Sequence, residues 1–158
     1  MTEDASFADG AMRALRLRAL DGDDLAVISA LAQDAVLSSA DMRWEKGRRR
    51  FVLLLNRYRW EDADRAARAR DHERVRSLLV IEDVTRVQSS GLPQGADDLV
   101  LSLLSLAWEP GEDGAGRVLL TFAGGGALAL AVEALEVLLQ DVTRPYADPA
   151  RRAPGHDV

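Results

Sequence analysis

Alternation of apolar and polar residues at period two, cut by short turns rich in glycine and aspartate, recurs along most of this chain. It is the feature that most restricts the fold, because it puts every second side chain on one face of a strand and asks for a sheet with a buried face. Leu15, Leu17 and Ala19 alternate with Arg16 and Arg18. Met42 and Trp44 share a face, and Gly47-Arg48 marks a turn into a long strand, Arg50 to Trp60, which pairs back as a hairpin. That strand starts apolar on both faces and then splits, with Leu55, Arg57 and Arg59 on one face and Asn56, Tyr58 and Trp60 on the other. From Arg74 to Gln88, Val75, Ser77, Leu79 and Ile81 share a face, with a bulge or kink expected at Glu82-Asp83. Leu99 to Trp108, Arg117 to Phe122 and Ala127 to Val132 complete the strands, joined across Glu109–Gly116 and Gly124–Gly126. Turns this short join antiparallel neighbours.

Two segments carry helical spacing. Asp21-Gly-Asp-Asp24 reads as an N-cap with acids where the helix dipole favours them, and Leu25, Ile28, Leu31, Ala32, Ala35 and Val36 predict a helix from about Asp23 to Leu37. Glu133 to Val142, with Ala134, Leu135, Leu138 and Leu139 toward the sheet, predicts a second helix ended by Pro145. The sum is an α+β fold: an antiparallel meander of six to seven strands with an early and a C-terminal helix. By analogy that ordering suggests a pleckstrin-homology-like barrel or half-barrel, although the early helix fits it poorly. One domain is expected over residues 12–142, since 158 residues suit a single core. The polar residues 1–11 are expected to be disordered, the proline-bearing tail 143–158 extended or disordered, and the charged stretch Glu61 to Glu73 a mobile loop or a frayed turn of helix.

Composition excludes several chemistries. There is no cysteine, hence no disulfide, thiolate metal site or cysteine nucleophile, and two histidines are too few for a multi-histidine centre. An acidic N-terminus without an apolar core is not a secretory signal, and the longest apolar stretch, Leu99 to Trp108, is far short of a spanning helix. A cytoplasmic protein without membrane contact is the expectation. The net charge of −6 argues against duplex DNA as partner. Charge is nevertheless uneven: Arg43 to Arg76 holds 12 basic and 6 acidic residues, against 8 and 20 elsewhere.

Few motifs carry chemistry. Gly124-Gly125-Gly126 lacks the Gly-Lys-Ser/Thr of a phosphate loop and the spacing of a dinucleotide site, so it reads as a hairpin turn. His72 and His156 have no serine in a nucleophile elbow nearby. The carboxylate groups Asp21/Asp23/Asp24, Asp97/Asp98 and Glu109/Glu112/Asp113 match no calcium-loop pattern and are explained by capping and loop solubility. Trp44, Trp60 and Trp108 read as core anchors. The one candidate site is an arginine cluster: Arg57 and Arg59 on one strand face, joined by Arg43 or by Arg74 and Arg76 from neighbouring strands, with guanidinium forks suited to phosphate or carboxylate. Its ordinary alternative is a solvated strand face paired with nearby acids.

Four stretches carry a family resemblance: Leu15 to Asp21 with the helix after it, Asp41-Met-Arg-Trp44, Phe51 to Glu61, and Leu120 to Ala127 with Val132 to Glu136. Together they resemble a bacterial family known as domain-of-unknown-function family 2948, over most of Arg13 to Asp141. The resemblance implies a small, soluble, single-domain cytoplasmic protein and carries no catalytic or binding residues with it. Three functions remain in view. The first is a non-enzymatic binding or adaptor module for a protein partner or a second copy, without cofactor or metal. The second is an anion-binding protein using the arginines for a phosphorylated metabolite or RNA phosphate. The third, ranked last, is a small carboxylate/arginine enzyme.

Overall fold

The computed structural model describes residues 14–59, 73–92, 99–142 and 146–147. These residues form one 11-stranded antiparallel sheet and one α-helix. In chain order the elements are β1 (Arg16–Ala19), α1 (Gly22–Ala32), β2 (Ala35–Ser38), β3 (Met42–Glu45), β4 (Arg50–Tyr58), β5 (Glu73–Ile81), β6 (Val84–Ser90), β7 (Val100–Pro110), β8 (Gly116–Phe122), β9 (Ala127–Val132), β10 (Val137–Asp141) and β11 (Tyr146–Ala147). Short 3-10 turns over Ser39–Asp41 and Lys46–Arg48 flank β3. The strand order is β1-β10-β5-β4-β2-β7-β8-β9-β6, an open path on which β3 also pairs β4 and β11 also pairs β5.

The path curves because two strands turn a corner together. β5 runs into β6 through Glu82 and Asp83, and Asp83 takes a left-handed φ of 59°. β9 runs into β10 through residues 133–136 alongside, held by Glu133 N–H to the Asp83 carbonyl and Glu82 N–H to the Glu136 carbonyl. One bent ribbon therefore supplies β5·β10 near one end of the path and β6·β9 at the other. The concave face closes over the core: Leu53 and Leu55 of β4, Leu79 of β5, Leu103 of β7, Leu120 of β8 and Leu130 of β9 are all buried. Each such side chain stabilises the fold by roughly 1.5–3 kcal/mol through removal of apolar surface from water. Trp44 and Trp108 pack against this core while staying partly exposed, and Trp60 lies outside the described residues.

Helix α1 seals the inside of the curve with Leu25, Ile28 and Ala32. It starts where expected, with the Asp21 carboxylate accepting from Asp24 N–H at 2.8 Å. It ends earlier than expected. Asp34 adopts φ 65° and donates its N–H to the Leu103 carbonyl at 2.7 Å, which turns the chain out of the helix. Ala35 and Leu37 are then buried with Val36 and Ser38 half-exposed, a period of two, so the residues read as the last helical turn are strand β2.

The expected C-terminal helix is also overturned. Leu135, Val137, Leu139 and Asp141 are buried in alternation, and Val137–Asp141 is β10, hydrogen-bonded to β1 on one side and β5 on the other. Leu138 and Leu139, which share a helix face, lie on opposite faces of this strand. The pleckstrin-homology-like analogy loses the element that suggested it, and the six to seven expected strands become eleven. The expectations for residues 1–11, for the loop 61–72 and for the tail fall outside the described residues, apart from β11 within that tail. No helix of the described residues is long and apolar enough to cross a membrane.

Candidate functional site

The arginine cluster divides between the two faces of the sheet. Phe51, Leu53 and Leu55 set the inward phase of β4, and Arg57 and Arg59 inherit it. Arg57 is 0% exposed and Arg59 5%, which places both guanidinium groups inside, where the sequence reading had a ligand-facing or solvated pair. A charge buried this deeply needs a counter-charge and hydrogen bonds. Asp141 at the end of β10 supplies both. Arg57 donates from Nη2 to Asp141 Oδ1 at 3.0 Å, from Nε to Ser77 Oγ at 2.9 Å, and from Nη1 to the Tyr58 carbonyl at 3.0 Å. Ser77 donates in turn to Asp141 Oδ1 at 2.6 Å, and Leu15 N–H donates to Asp141 Oδ2 at 2.8 Å. Arg59 Nη1 stands 3.8 Å from Asp141 Oδ2. The cluster ties β4, β5, β10 and the segment entering β1 at one end of the sheet. Its acid and its hydroxyl are spent on internal partners.

Arg43, Arg74 and Arg76 take the other face. Arg43 on β3 is opposite Val52, and Arg76 on β5 is opposite Asn56. Both are exposed. Arg74 lies over the Tyr58 ring, its Cζ 4.0 Å from the centroid, a cation–π contact across the β4–β5 pair. The structure thus brings Arg57 with Arg59, and Arg74 with Tyr58, while Arg43 stands two strands away from Arg76.

Between them the convex face of the sheet is apolar. Cross-strand registers align Val52 with Val80 and Leu138, and Leu54 with Leu78. All five are only half-buried. The edge of β4 forks here. β3 pairs it as far as Leu53 and β2 pairs it at Asn56, so Leu54 and Leu55 have register partners on β5 alone. Two cavities open at the fork. One, of about 340 Å³, is lined by Val36, Leu54 and Val100 with Ser38, Asn56 and Arg76 at its polar side. The other, of about 240 Å³, has Val52, Leu54 and Leu78 as its apolar wall and Arg43 and Glu45 at its rim. Asp41 lines both.

Other residues singled out in the sequence take part in turns, caps and ion pairs where they are described. Gly124 and Gly125 have φ of 90° and 99° and form the β8–β9 turn. Asp21 is the helix cap, and Glu109 pairs with Arg117 across the β7–β8 hairpin. The hydrogen bond from Arg117 holds the Glu109 carboxyl below the usual glutamate range, and the same bond raises Arg117. On the opposite corner the Glu133 carboxylate raises Arg49. Among the described residues no group of three or more histidines, aspartates or glutamates is arranged to hold a metal ion. His72, His156, Asp97 and Asp98 lie outside the described residues.

Sequence reasoning missed Asp141. The helical spacing of Glu133 to Val142 hides it, and the signal that reveals it is the alternation Val137, Leu139, Asp141, which ends an apolar strand face on a carboxylate. No curated protein and no solved structure matches this chain. The family model that does match, described as Protein of unknown function (DUF2948), spans residues 15–156. That span takes in the strands, the helix and the buried Arg57–Asp141 cluster described above, and the chain belongs to this family of proteins of unknown function.

Proposed function

We propose that this protein is a non-enzymatic binding module that engages a protein partner through the convex face of β5, β4 and β2. One observation carries the reading: β4 and β5 are apolar on both faces along their middle, Val52 to Leu54 and Leu78 to Val80. Their inward residues build the core, and their outward residues Val52, Leu54, Leu78 and Val80 stay half-exposed. At the margin Val100 is 69% exposed. A sheet with one solvated face ordinarily alternates apolar with polar residues, and a contiguous apolar patch on it marks an interaction surface. The buried arginines support the same reading, since Arg57 and Arg59 serve the fold.

A photo-crosslinking residue at Val100 tests it in the cells that express the protein. Crosslinks to one partner protein are expected, and they are expected to vanish when Leu54→Thr and Leu78→Thr are added, changes that keep strand propensity and remove apolar surface. Equal crosslinking with and without those changes, or none at all, rejects the surface.

A second reading keeps the anion site but moves it. Arg43 and Arg76 are exposed on the convex face, so a phosphorylated metabolite would meet these two. A thermal-shift screen checks this. A shift of several degrees that disappears in Arg43→Ala, Arg76→Ala supports it, and a shift retained there rejects it.

A further inference from the structure

The convex face carries a charge opposite to that of the chain. The whole protein is −6. Yet the apolar patch is bordered by exposed arginines on both sides. Arg18 stands in the register row of Leu138, Val80 and Val52, and Arg16 in the row of Gln140, Leu78 and Leu54. Arg43 stands on β3 at the far end of the Val52 row, and Arg76 on β5 two residues from Leu78; each lines one of the two cavities. Asp41 and Glu45 are the acids lining those cavities. Arg18 is bound to Glu136 at 2.9 Å and remains 58% exposed.

From this we propose that the face accepts an extended peptide segment in which aliphatic side chains at every second position are flanked by carboxylates. The proposal rests on the docking reading above and names the chemistry of its partner. Three features favour it. The two cavities share Leu54 and Asp41 as walls, so they are neighbours along the fork, each with an apolar wall and one arginine. An extended chain sends alternate side chains to opposite sides at about 3.3 Å per residue, so aliphatic groups at every second position enter the cavities while carboxylates flanking them on that same side reach Arg43 and Arg76. Along the row Arg18, Leu138, Val80, Val52 and Arg43 an arginine stands at each end of the apolar strip.

Two other occupants fit worse. Face-to-face pairing with a second copy would set Arg43 and Arg76 against arginines of the same patch, a like-charge cost built into two-fold symmetry. Single-stranded RNA needs aromatic faces for base stacking. The patch is aliphatic, and its Tyr58 ring is covered by Arg74.

The test is selection from a random phage-displayed peptide library on the full-length protein, with depletion on the Leu54→Thr, Leu78→Thr variant. Enriched peptides are expected to be net negative, with Asp or Glu flanking Val, Ile or Leu at every second position. A synthetic copy of the commonest should bind roughly tenfold more weakly to Arg43→Gln, Arg76→Gln and more weakly as salt rises. Arg43→Glu, a change at an exposed residue that leaves the core intact, should turn the selection toward basic peptides. Enriched peptides that are neutral or basic on the native face, or indifferent to the arginine changes, overturn the acidic partner and leave the docking face standing. No enrichment over the depletion variant rejects the docking face itself. A labelled oligouridine that binds more tightly than the peptide and is lost in the same arginine variants overturns the proposal in favour of RNA.

Discussion

Asp141 is the residue on which one end of the sheet depends. Its two oxygens receive Arg57, Ser77 and the Leu15 backbone, with Arg59 close by, and every side chain among these four charged or hydroxyl groups is buried. Removing one partner of a buried ion pair leaves the other charge without compensation, at a cost of about 3–5 kcal/mol. Asp141→Asn is therefore expected to lower stability by that order in urea unfolding. Arg57→Met combined with Asp141→Leu should recover part of it, because the Arg57–Asp141 charges are then both gone while the buried Arg59 keeps its own. Alanine at Arg57 and Arg59 would have been the natural probe of an anion site judged from sequence. In this fold it is a stability variant. The Glu109–Arg117 pair behaves differently, since both side chains are nearly half exposed. The carboxyl of Glu109 is held low by Arg117, so any stability it adds is present above the unfolded-state value and fades as pH falls through the lower folded value. In NMR titration Glu109 should ionise at lower pH than an unperturbed glutamate, and Arg117→Ala should return it, with little change in melting because exposed pairs contribute little.

At the scale of elements, the readings that held are those where period and turn chemistry agree. The β8–β9 hairpin was legible because Leu120 and Phe122 alternate into a glycine turn whose φ values need glycine. The β3–β4 hairpin and the break at Glu82-Asp83 were legible for similar reasons. The misreadings fell where an apolar run satisfies both periods. Leu135, Leu138 and Leu139 suit a helix face, but they sit in β10 and its approach, because open strand edges on β1 and β5 supply hydrogen bonds on both sides. Short apolar runs cannot be assigned by period alone, and the tertiary partner decides. Helix α1 depends on its cap, since it is eleven residues long and its exit is forced at Asp34. Asp21→Ala should cost about 1 kcal/mol by loss of the bond to Asp24 N–H, measured by chemical denaturation. Asp21→Ser should restore most of it.

The whole molecule is a curved sheet whose concave side is the core and whose convex side is half apolar. Within it β4 and β5 pair with each other in eight consecutive registers, while β6 lies at an end of the path. Native-state amide exchange should therefore show the strongest protection at Leu53, Leu55 and Leu79 and the weakest at Gln88 to Ser90, where the side chains are exposed. Comparable protection in β6 and β4 would contradict this ordering. By itself the sequence determined that the chain is β-rich and antiparallel, that an early capped helix accompanies the strands, and that its basic residues concentrate in one third. Those properties are local: alternation, turn residues and composition are read within a few positions of each other. Tertiary structure alone decided which side of each strand is inside. Arg57 and Arg59 share a face in any strand, but whether that face meets water or Asp141 depends on β10, 84 residues further along from Arg57. The same long-range choice placed Leu54 and Leu78 outward, and with them the surface on which a partner is proposed to bind.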